Sequence, residues 1–341
     1  MSLRIAVIGV GHLGKHHARI LSSLPGAELV AVVDTNRPRA TEIATANHAE
    51  PLFDYRDVIG RVDAVTLAVP TELHAELARD LLSKGIHVLV EKPMARSIDE
   101  ADAMIDAAGD ADVVLAVGQT ERFNPALNAA RRFLTDPRFI EVHRLGTFPE
   151  RSLDIDVVFD LMIHDLDVVL SIVSSDVASL EAVGVPVITP RVDIANVRLR
   201  FANGCIANLT ASRISPERMR KIRVFSGGKQ TSYISLDYRA QEGFIYRLAR
   251  DGEDESSLLK KLLHAKDSTI VSEFAGKKIV REPVPIAKDE PLKLELEHFI
   301  DCVAALQTPM VSGESAKRAL DLAFEITRQI QALDSKPLDA R

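Results

Sequence analysis

The stretch Ile5-Ala-Val-Ile-Gly-Val-Gly-His-Leu-Gly14 decides the reading of the fold. A short apolar run rich in β-branched residues stops at Gly9, and Gly9, Gly11 and Gly14 punctuate the turn into a helix-like segment, Leu13 to Leu21. Three glycines at this spacing mean little alone, but between a buried strand and a helix they form a turn that cradles a pyrophosphate. Gly9 permits the tight turn, Gly11 lets the backbone approach the phosphates, and Gly14 allows close helix–strand packing. The helix start supplies N–H groups and the positive end of its dipole. His12 lies inside the loop and is placed facing the nucleotide, whereas His16 and His17 are assigned to an exposed helix face.

Outward from this turn, short apolar runs alternate with amphipathic stretches up to Gly118. The runs are Ile5–Val10, Leu29–Val33, Ala64–Ala68, His87–Val90 and Val113–Val117, and the helix-like segments between them include Pro38–Asn47, Glu72–Leu82 and Ile98–Ala108. Near-continuous apolar strands separated by helices indicate a parallel sheet covered on both faces. A weaker strand at Pro51–Phe53 completes a six-stranded sheet, so residues 1–121 are expected to form a doubly wound α/β (Rossmann) domain. Twenty positions after Gly14, Asp34 ends the second run. A carboxylate there accepts hydrogen bonds from the ribose hydroxyls of NAD and repels the 2′-phosphate of NADP. Arg37 and Arg39 follow and partly offset that repulsion, so NAD is the expected cofactor and NADP the alternative.

Past Gln119 the pattern changes. A helix at Pro125–Leu134 leads to an alternating run at Phe139–Leu145 and a long helix at Asp156–Ser174. Period-2 segments then follow at Ser179–Val187, Asp193–Phe201, Cys205–Ser212, Lys221–Phe225 and Thr231–Asp237. Successive strands with tight turns such as Ala202-Asn-Gly204 mean an antiparallel sheet, and residues 122–341 are expected to form an α+β second domain. Residues Asp251 to Asp267 are charged and weakly patterned, like a surface excursion. Two C-terminal helices within 292–333, broken at Thr308-Pro309, are free to pack back near the first domain.

The composition excludes several classes. A net charge of −7 without a basic block argues against a nucleic-acid surface. Cys205 and Cys302 stand far apart in no metal-like spacing, which fits a reducing cytoplasm. The apolar run at Ile5–Val10 is too short for a signal peptide, and no stretch approaches the roughly 20 residues that span a bilayer.

Two further features carry chemistry. Lys92 closes the apolar run of His87-Val-Leu-Val-Glu-Lys-Pro93, an ammonium at the end of a buried strand where its proton affinity is movable. Pro93 restricts the backbone of Lys92 to an extended conformation. On the helix at Asp156–Ser174, the polar residues Asp156, Asp160, His164, Asp167 and Ser171 are spaced by four, four, three and four. At about 100° per residue they share one stripe, from which Asp165 points away. Asp and His on an otherwise apolar helix suit a cleft, where a histidine accepts a proton and a carboxylate one turn away orients it. Asp160, His164 and Asp167 have no further ligand cluster beside them, so no metal is expected.

On Gly9-Val-Gly-His-Leu-Gly14, Asp34, Pro70-Thr71 with His74, Glu91-Lys92-Pro93, and Asp160 with His164, the chain resembles the glucose–fructose oxidoreductase/inositol dehydrogenase (Gfo/Idh/MocA) family over nearly its whole length. The resemblance implies a Rossmann domain followed by a domain with a large open-faced sheet, with NAD(P) between them. Gly9, Gly11, His12, Leu13, Gly14, Asp34, Pro70, Thr71, His74, Glu91, Lys92 and Pro93 would line the cofactor, and Lys92, Asp160 and His164 would converge at the nicotinamide. It further implies oxidation of a sugar or polyol hydroxyl by hydride transfer, and a homodimer or homotetramer formed through the sheet domain. Gln119-Thr-Glu-Arg-Phe-Asn-Pro125, Met162-Ile-His-Asp-Leu-Asp167 and Ala211-Ser-Arg213 look like the branch of that family acting at C3 of UDP-N-acetylglucosamine. Arg122, Asn124, Arg144, Arg151 and Arg213 are then candidates for substrate contacts, with a structural role the alternative for each arginine. Arg213 leads because it ends a predicted strand near Arg218 and Arg220.

The expected activity is an NAD-dependent dehydrogenase of a nucleotide-linked amino sugar. His164 takes the hydroxyl proton, Lys92 binds the same oxygen, and Asp160 orients the pair; Lys92 and His164 in exchanged roles fit the sequence equally. A free polyol or monosaccharide such as inositol is the alternative substrate. A non-catalytic dinucleotide sensor is the alternative of another class, against which the retained Lys92 and His164 argue.

Overall fold

Six apolar runs near the start of the chain form one parallel sheet. In a computed structural model, which describes residues 2–148, 155–228, 231–249, 269–274 and 277–334, these are β1 (Leu3–Ile8), β2 (Ala27–Val33), β3 (Glu50–Leu52), β4 (Ala64–Leu67), β5 (His87–Glu91) and β6 (Leu115–Gly118). Their order is β3-β2-β1-β4-β5-β6, with every neighbouring pair parallel. All four residues of β4 and of β6 are buried, as a sheet covered on both faces requires. Helices α1 (Gly14–Leu21), α2 (Arg37–Ala46), α3 (His74–Ser83) and α4 (Ile98–Asp110) make the crossovers. Asn36 accepts from the Arg39 N–H to cap α2, and Ser97 accepts from the Glu100 N–H to cap α4. The strand order reverses between β1 and β4, so the ligand crevice of this sheet lies at the C-terminal ends of those two strands.

The chain divides into two units, Met1–Phe123 with Asp289–Asp321, and Asn124–Lys288 with Leu322–Arg341. In the first unit, helix α7 (Pro291–Ala305) joins the Rossmann core: Leu296, Phe299, Ile300 and Val303 pack in one buried cluster with Ile5, Val7, Leu21 and Leu29. Burying each such side chain stabilises by about 1.5–3 kcal/mol. The segment beyond α7 covers the β6 edge, where the Val117 N–H donates to the Val311 carbonyl at 3.1 Å.

The second unit opens with α5 (Pro125–Ala130) and β7 (Pro137–Leu145), followed by α6 (Ile163–Ile172), β8 (Val177–Val185), β9 (Ile194–Phe201), β10 (Ile206–Ser212), β11 (Met219–Ser226), β12 (Ser232–Asp237), β13 (Glu242–Leu248), β14 (Thr269–Phe274) and β15 (Lys277–Pro283). They form a nine-stranded sheet in the order β14-β15-β13-β12-β11-β7-β10-β9-β8. Only the β7–β10 pair is parallel. Buried residues alternate with exposed ones along β9, so the sheet is apolar on one face and open on the other. The last helix, α8 (Gly313–Asp334), runs from one unit into the other.

Three expectations need correction. The helix predicted at Asp156–Ser174 begins with a π-helical turn at Val158–Met162 before α6, because a regular 100° pattern carries no sign of an i→i+5 turn. The helix predicted at Pro125–Leu134 stops at Ala130 and continues as a 3₁₀ turn, Arg131–Phe133. Strands β13, β14 and β15 escaped the sequence reading: segments such as Lys277-Lys-Ile-Val-Arg-Glu-Pro283 interleave too many charges with their apolar residues. The charged stretch 251–267 lies outside the described residues, as does Arg151.

Candidate active site

The glycine turn is built as its spacing requires. Gly9 has φ +83°, and a Cβ there would stand 2.7 Å from the Ala68 carbonyl oxygen. A Cβ at Gly14 would stand 1.8 Å from the Gly9 carbonyl oxygen, so no other residue fits. At Gly11 a Cβ would meet nothing within 4 Å, which leaves the space a pyrophosphate would occupy. No side chain caps α1 and no acidic residue stands in its first turn, so its N–H groups are not blocked by a capping side chain. His12 and Leu13 are exposed beside this loop, with the His12 ring edge-on to His16. These residues fit a dinucleotide phosphate.

Asp34 stands at the end of β2, buried. Its Oδ2 accepts from the Val10 N–H at 3.0 Å and from Arg39 Nε at 3.0 Å; its Oδ1 accepts from the Asn36 N–H at 2.8 Å and from Arg39 Nη2 at 2.8 Å. Burial pushes its carboxyl up, but the Arg39 bond and the two backbone bonds outweigh that and hold it below the usual carboxylate range. A carboxylate has about four acceptor positions, and all four are taken here. Arg39 is therefore the group that ribose hydroxyls would displace. Arg37 instead lies over the Phe53 ring, 4.3 Å from its centroid.

Pro70 and Thr71 are at least partly exposed where β4 gives way to a 3₁₀ turn, Thr71–Leu73. His74 is buried and holds this turn against the next: its Nε2 is 2.9 Å from the Val69 carbonyl and its Nδ1 3.0 Å from the Pro93 carbonyl. It shapes the wall of the crevice rather than reaching into it. Lys92 and Pro93, joined by a cis peptide bond, are partly exposed at the end of β5. Glu91 before them is buried and paired with His17, whose Nε2 stands 3.0 Å from Glu91 Oε1.

The burial of His17 overturns its assignment to an exposed helix face: its side chain is 0% exposed. The sequence did hold the signal. Gly14, His17, Ala18 and Leu21 recur at i, i+3, i+4 and i+7, the inward face of α1, and all four are buried.

In the second unit, Asp160 lies within the π turn and His164 in the first turn of α6, both partly exposed. The rest of the predicted stripe turns to other uses. Asp156 accepts from the Val192 N–H at 3.1 Å, Ser171 donates to the Val168 carbonyl at 2.7 Å, and Asp167 is buried. Asp165 faces away from the stripe and grips Arg144 of β7 at 2.7 and 2.8 Å, both side chains buried.

That pair gives Arg144 a structural role, the alternative set beside a diphosphate contact. Arg213, the leading candidate, is 1% exposed and bonds to Asp193 Oδ1 at 2.8 Å, the Ile155 carbonyl at 2.7 Å and Thr189 Oγ1 at 3.0 Å. Asp193 also accepts from three successive N–H groups, Val187, Ile188 and Thr189, so Arg213 anchors a loop. Asn124, buried, caps α5 through the Ala126 N–H and donates to the Tyr238 carbonyl at 3.1 Å. Arg122, also buried, donates to the Met310 carbonyl at 3.1 Å. None of these four side chains is placed as an exposed substrate ligand. Strand ends and arginine clusters are equally compatible with structural anchoring, which is why sequence alone could not separate the two roles.

Comparison with known proteins agrees with this architecture. Residues 3–119 match a family described as an oxidoreductase family with an NAD-binding Rossmann fold, and residues 130–229 match the GFO/IDH/MocA C-terminal domain. The chain is 34% identical to UDP-N-acetylglucosamine 3-dehydrogenase of Acidithiobacillus ferrooxidans, over 97% of this chain and 98% of that one. A solved structure of that protein superposes with a TM-score of 0.84, covering 97% of this chain and 99% of the other at 33% identity. Scyllo-inositol 2-dehydrogenase (NAD(+)) of Bacillus subtilis is 26% identical over 96% of this chain and 94% of its own.

Proposed function

The chain belongs to the GFO/IDH/MocA family of NAD-binding oxidoreductases, and from that premise we propose that it oxidises the C3 hydroxyl of UDP-N-acetylglucosamine, or of a closely related nucleotide amino sugar, to the ketone. What supports this substrate over a free polyol is the higher identity to the Acidithiobacillus ferrooxidans enzyme, 34% against 26% for the scyllo-inositol dehydrogenase, both over nearly the full length. Bound NAD supplies the hydride acceptor. The Gly9–Gly14 loop and α1 would hold the pyrophosphate, and Asp34 would hold the ribose hydroxyls in place of Arg39. His164 accepts the hydroxyl proton as the carbon gives up its hydride, a task suited to an imidazole near neutral pH. Lys92, directed by the end of β5, donates to the same oxygen and stabilises the negative charge that develops there. Asp160 orients His164. Each loss is matched: a hydride from carbon, a proton from oxygen, and a carbonyl left behind.

The reading extends to assembly and place. Phe139, Phe225, Tyr233 and Tyr246 form a continuous aromatic row on the open face of the second unit's sheet, with successive ring centroids 5.8, 4.7 and 5.1 Å apart. Such a face suits association of copies as a homodimer or homotetramer. The two cysteines, unpaired and buried, suit a reducing cytoplasm. The substrate assignment is tested by following reduced-nicotinamide absorbance with UDP-N-acetylglucosamine, other UDP-sugars and myo-inositol. The nucleotide amino sugar should be turned over and free inositol should not; the reverse pattern overturns the assignment.

A further inference from the structure

His17 and Glu91, the residue before Lys92, form a buried pair. His17 sits on the inward face of α1 with its Nε2 3.0 Å from Glu91 Oε1. Among the described residues its Nδ1 meets no hydrogen-bond partner, and its Nε2 carries a proton toward the carboxylate. The other carboxylate oxygen, Glu91 Oε2, accepts from the Lys92 N–H at 3.3 Å. On the β6 side the carboxylate is given room by Gly118, where a Cβ would stand 3.1 Å from the carboxyl carbon and both oxygens. Burial drives the Glu91 carboxyl up, yet the His17 hydrogen bond and the charges of His17 and Lys92 outweigh it and hold the group below the usual range. Among the described residues, the titratable groups that act on Glu91 are His17 from α1, His74 from α3 and Lys92, which follows it in the chain. Burying a carboxylate is costly, and a hydrophobic pair of the same size would pack here at no such cost.

We propose that His17 is a positioning residue for the oxidation: it holds Glu91 as a carboxylate beside Lys92, and through that charge sets how firmly Lys92 keeps its proton. This rests on Lys92 being the residue that meets the substrate oxygen. A neighbouring negative charge favours the ammonium form, so neutralising it lowers the pH at which Lys92 deprotonates. In His17→Leu the carboxylate loses its donor and takes up a proton; Glu91→Gln removes the charge while keeping the shape.

The direct test reads Lys92 without substrate. Lysines are reductively methylated with ¹³C-formaldehyde, the Lys92 resonance is assigned by its loss in Lys92→Arg, and its chemical shift is titrated. His17→Leu and Glu91→Gln should each move the Lys92 midpoint down by about one pH unit. The double variant should move it no further. His17→Gln, whose amide N–H reaches the same oxygen, should restore most of the wild-type midpoint. An unchanged midpoint in folded Glu91→Gln overturns the proposal, and this holds even if His17→Leu does not fold. In the active enzyme the pH profile of kcat/KM should follow the Lys92 midpoint across these variants; a profile that stays in place also overturns it. A shifted midpoint with no turnover of any sugar would defeat the dehydrogenase reading while leaving the charge coupling intact.

Discussion

Asp34 has both oxygens already bonded, and Arg39 is the residue that would have to move for ribose hydroxyls to bind there. The spacing from Gly14 located the carboxylate. The capture by Arg39 was not legible, because which of two nearby arginines turns back is set by the geometry of the β2–α2 turn and by Phe53, which holds Arg37. Removing Arg39 has opposite effects on the two nicotinamide cofactors. In Arg39→Ala the acceptors of Asp34 are freed for ribose hydroxyls while its negative charge stands uncompensated. NADH should bind about 3–10-fold more tightly and NADPH more weakly by at least as much, as contacts to one charged group imply. Fluorescence titration of the reduced cofactors measures both. Equal changes for the two cofactors would show that Arg39 does not set this preference.

At the scale of elements, the existence of nearly every strand and helix up to β12 was legible, since apolar runs of strand length and amphipathic stretches of helix length alternate cleanly. The π turn before α6 was not, and neither were β13, β14 and β15, whose alternation is diluted by charge. Asp160 in that turn and His164 on α6 are partly exposed, whereas Asp167, read onto the same stripe, is buried. The Arg144–Asp165 pair explains how α6 is fixed on β7. Arg144→Met leaves the Asp165 charge buried without its guanidinium and should cost about 3–5 kcal/mol in urea denaturation, whereas adding Asp165→Leu should recover most of that loss. A single variant as stable as the wild type would mean that the pair does not hold the helix.

For the whole molecule, two units of different architecture carry the residues proposed for the chemistry: a parallel sheet with its glycine turn and Lys92 in one, and a mostly antiparallel sheet with the helix that bears His164 in the other. The open aromatic face of the second sheet is where copies are proposed to meet. Phe225, 39% exposed at the middle of that row, is the place to break it. Phe225→Asp combined with Tyr233→Asp should shift the light-scattering mass toward that of one chain, and an unchanged oligomer mass would put the interface elsewhere. Lys92 is proposed to act on the substrate oxygen and not to hold the cofactor. Its most direct test is turnover of UDP-N-acetylglucosamine by Lys92→Ala, with NADH affinity measured on the same preparation. Turnover should fall by at least about 10²–10³-fold with NADH binding near that of the wild type; a folded variant that keeps its turnover, or loses NADH binding instead, would overturn this role for Lys92.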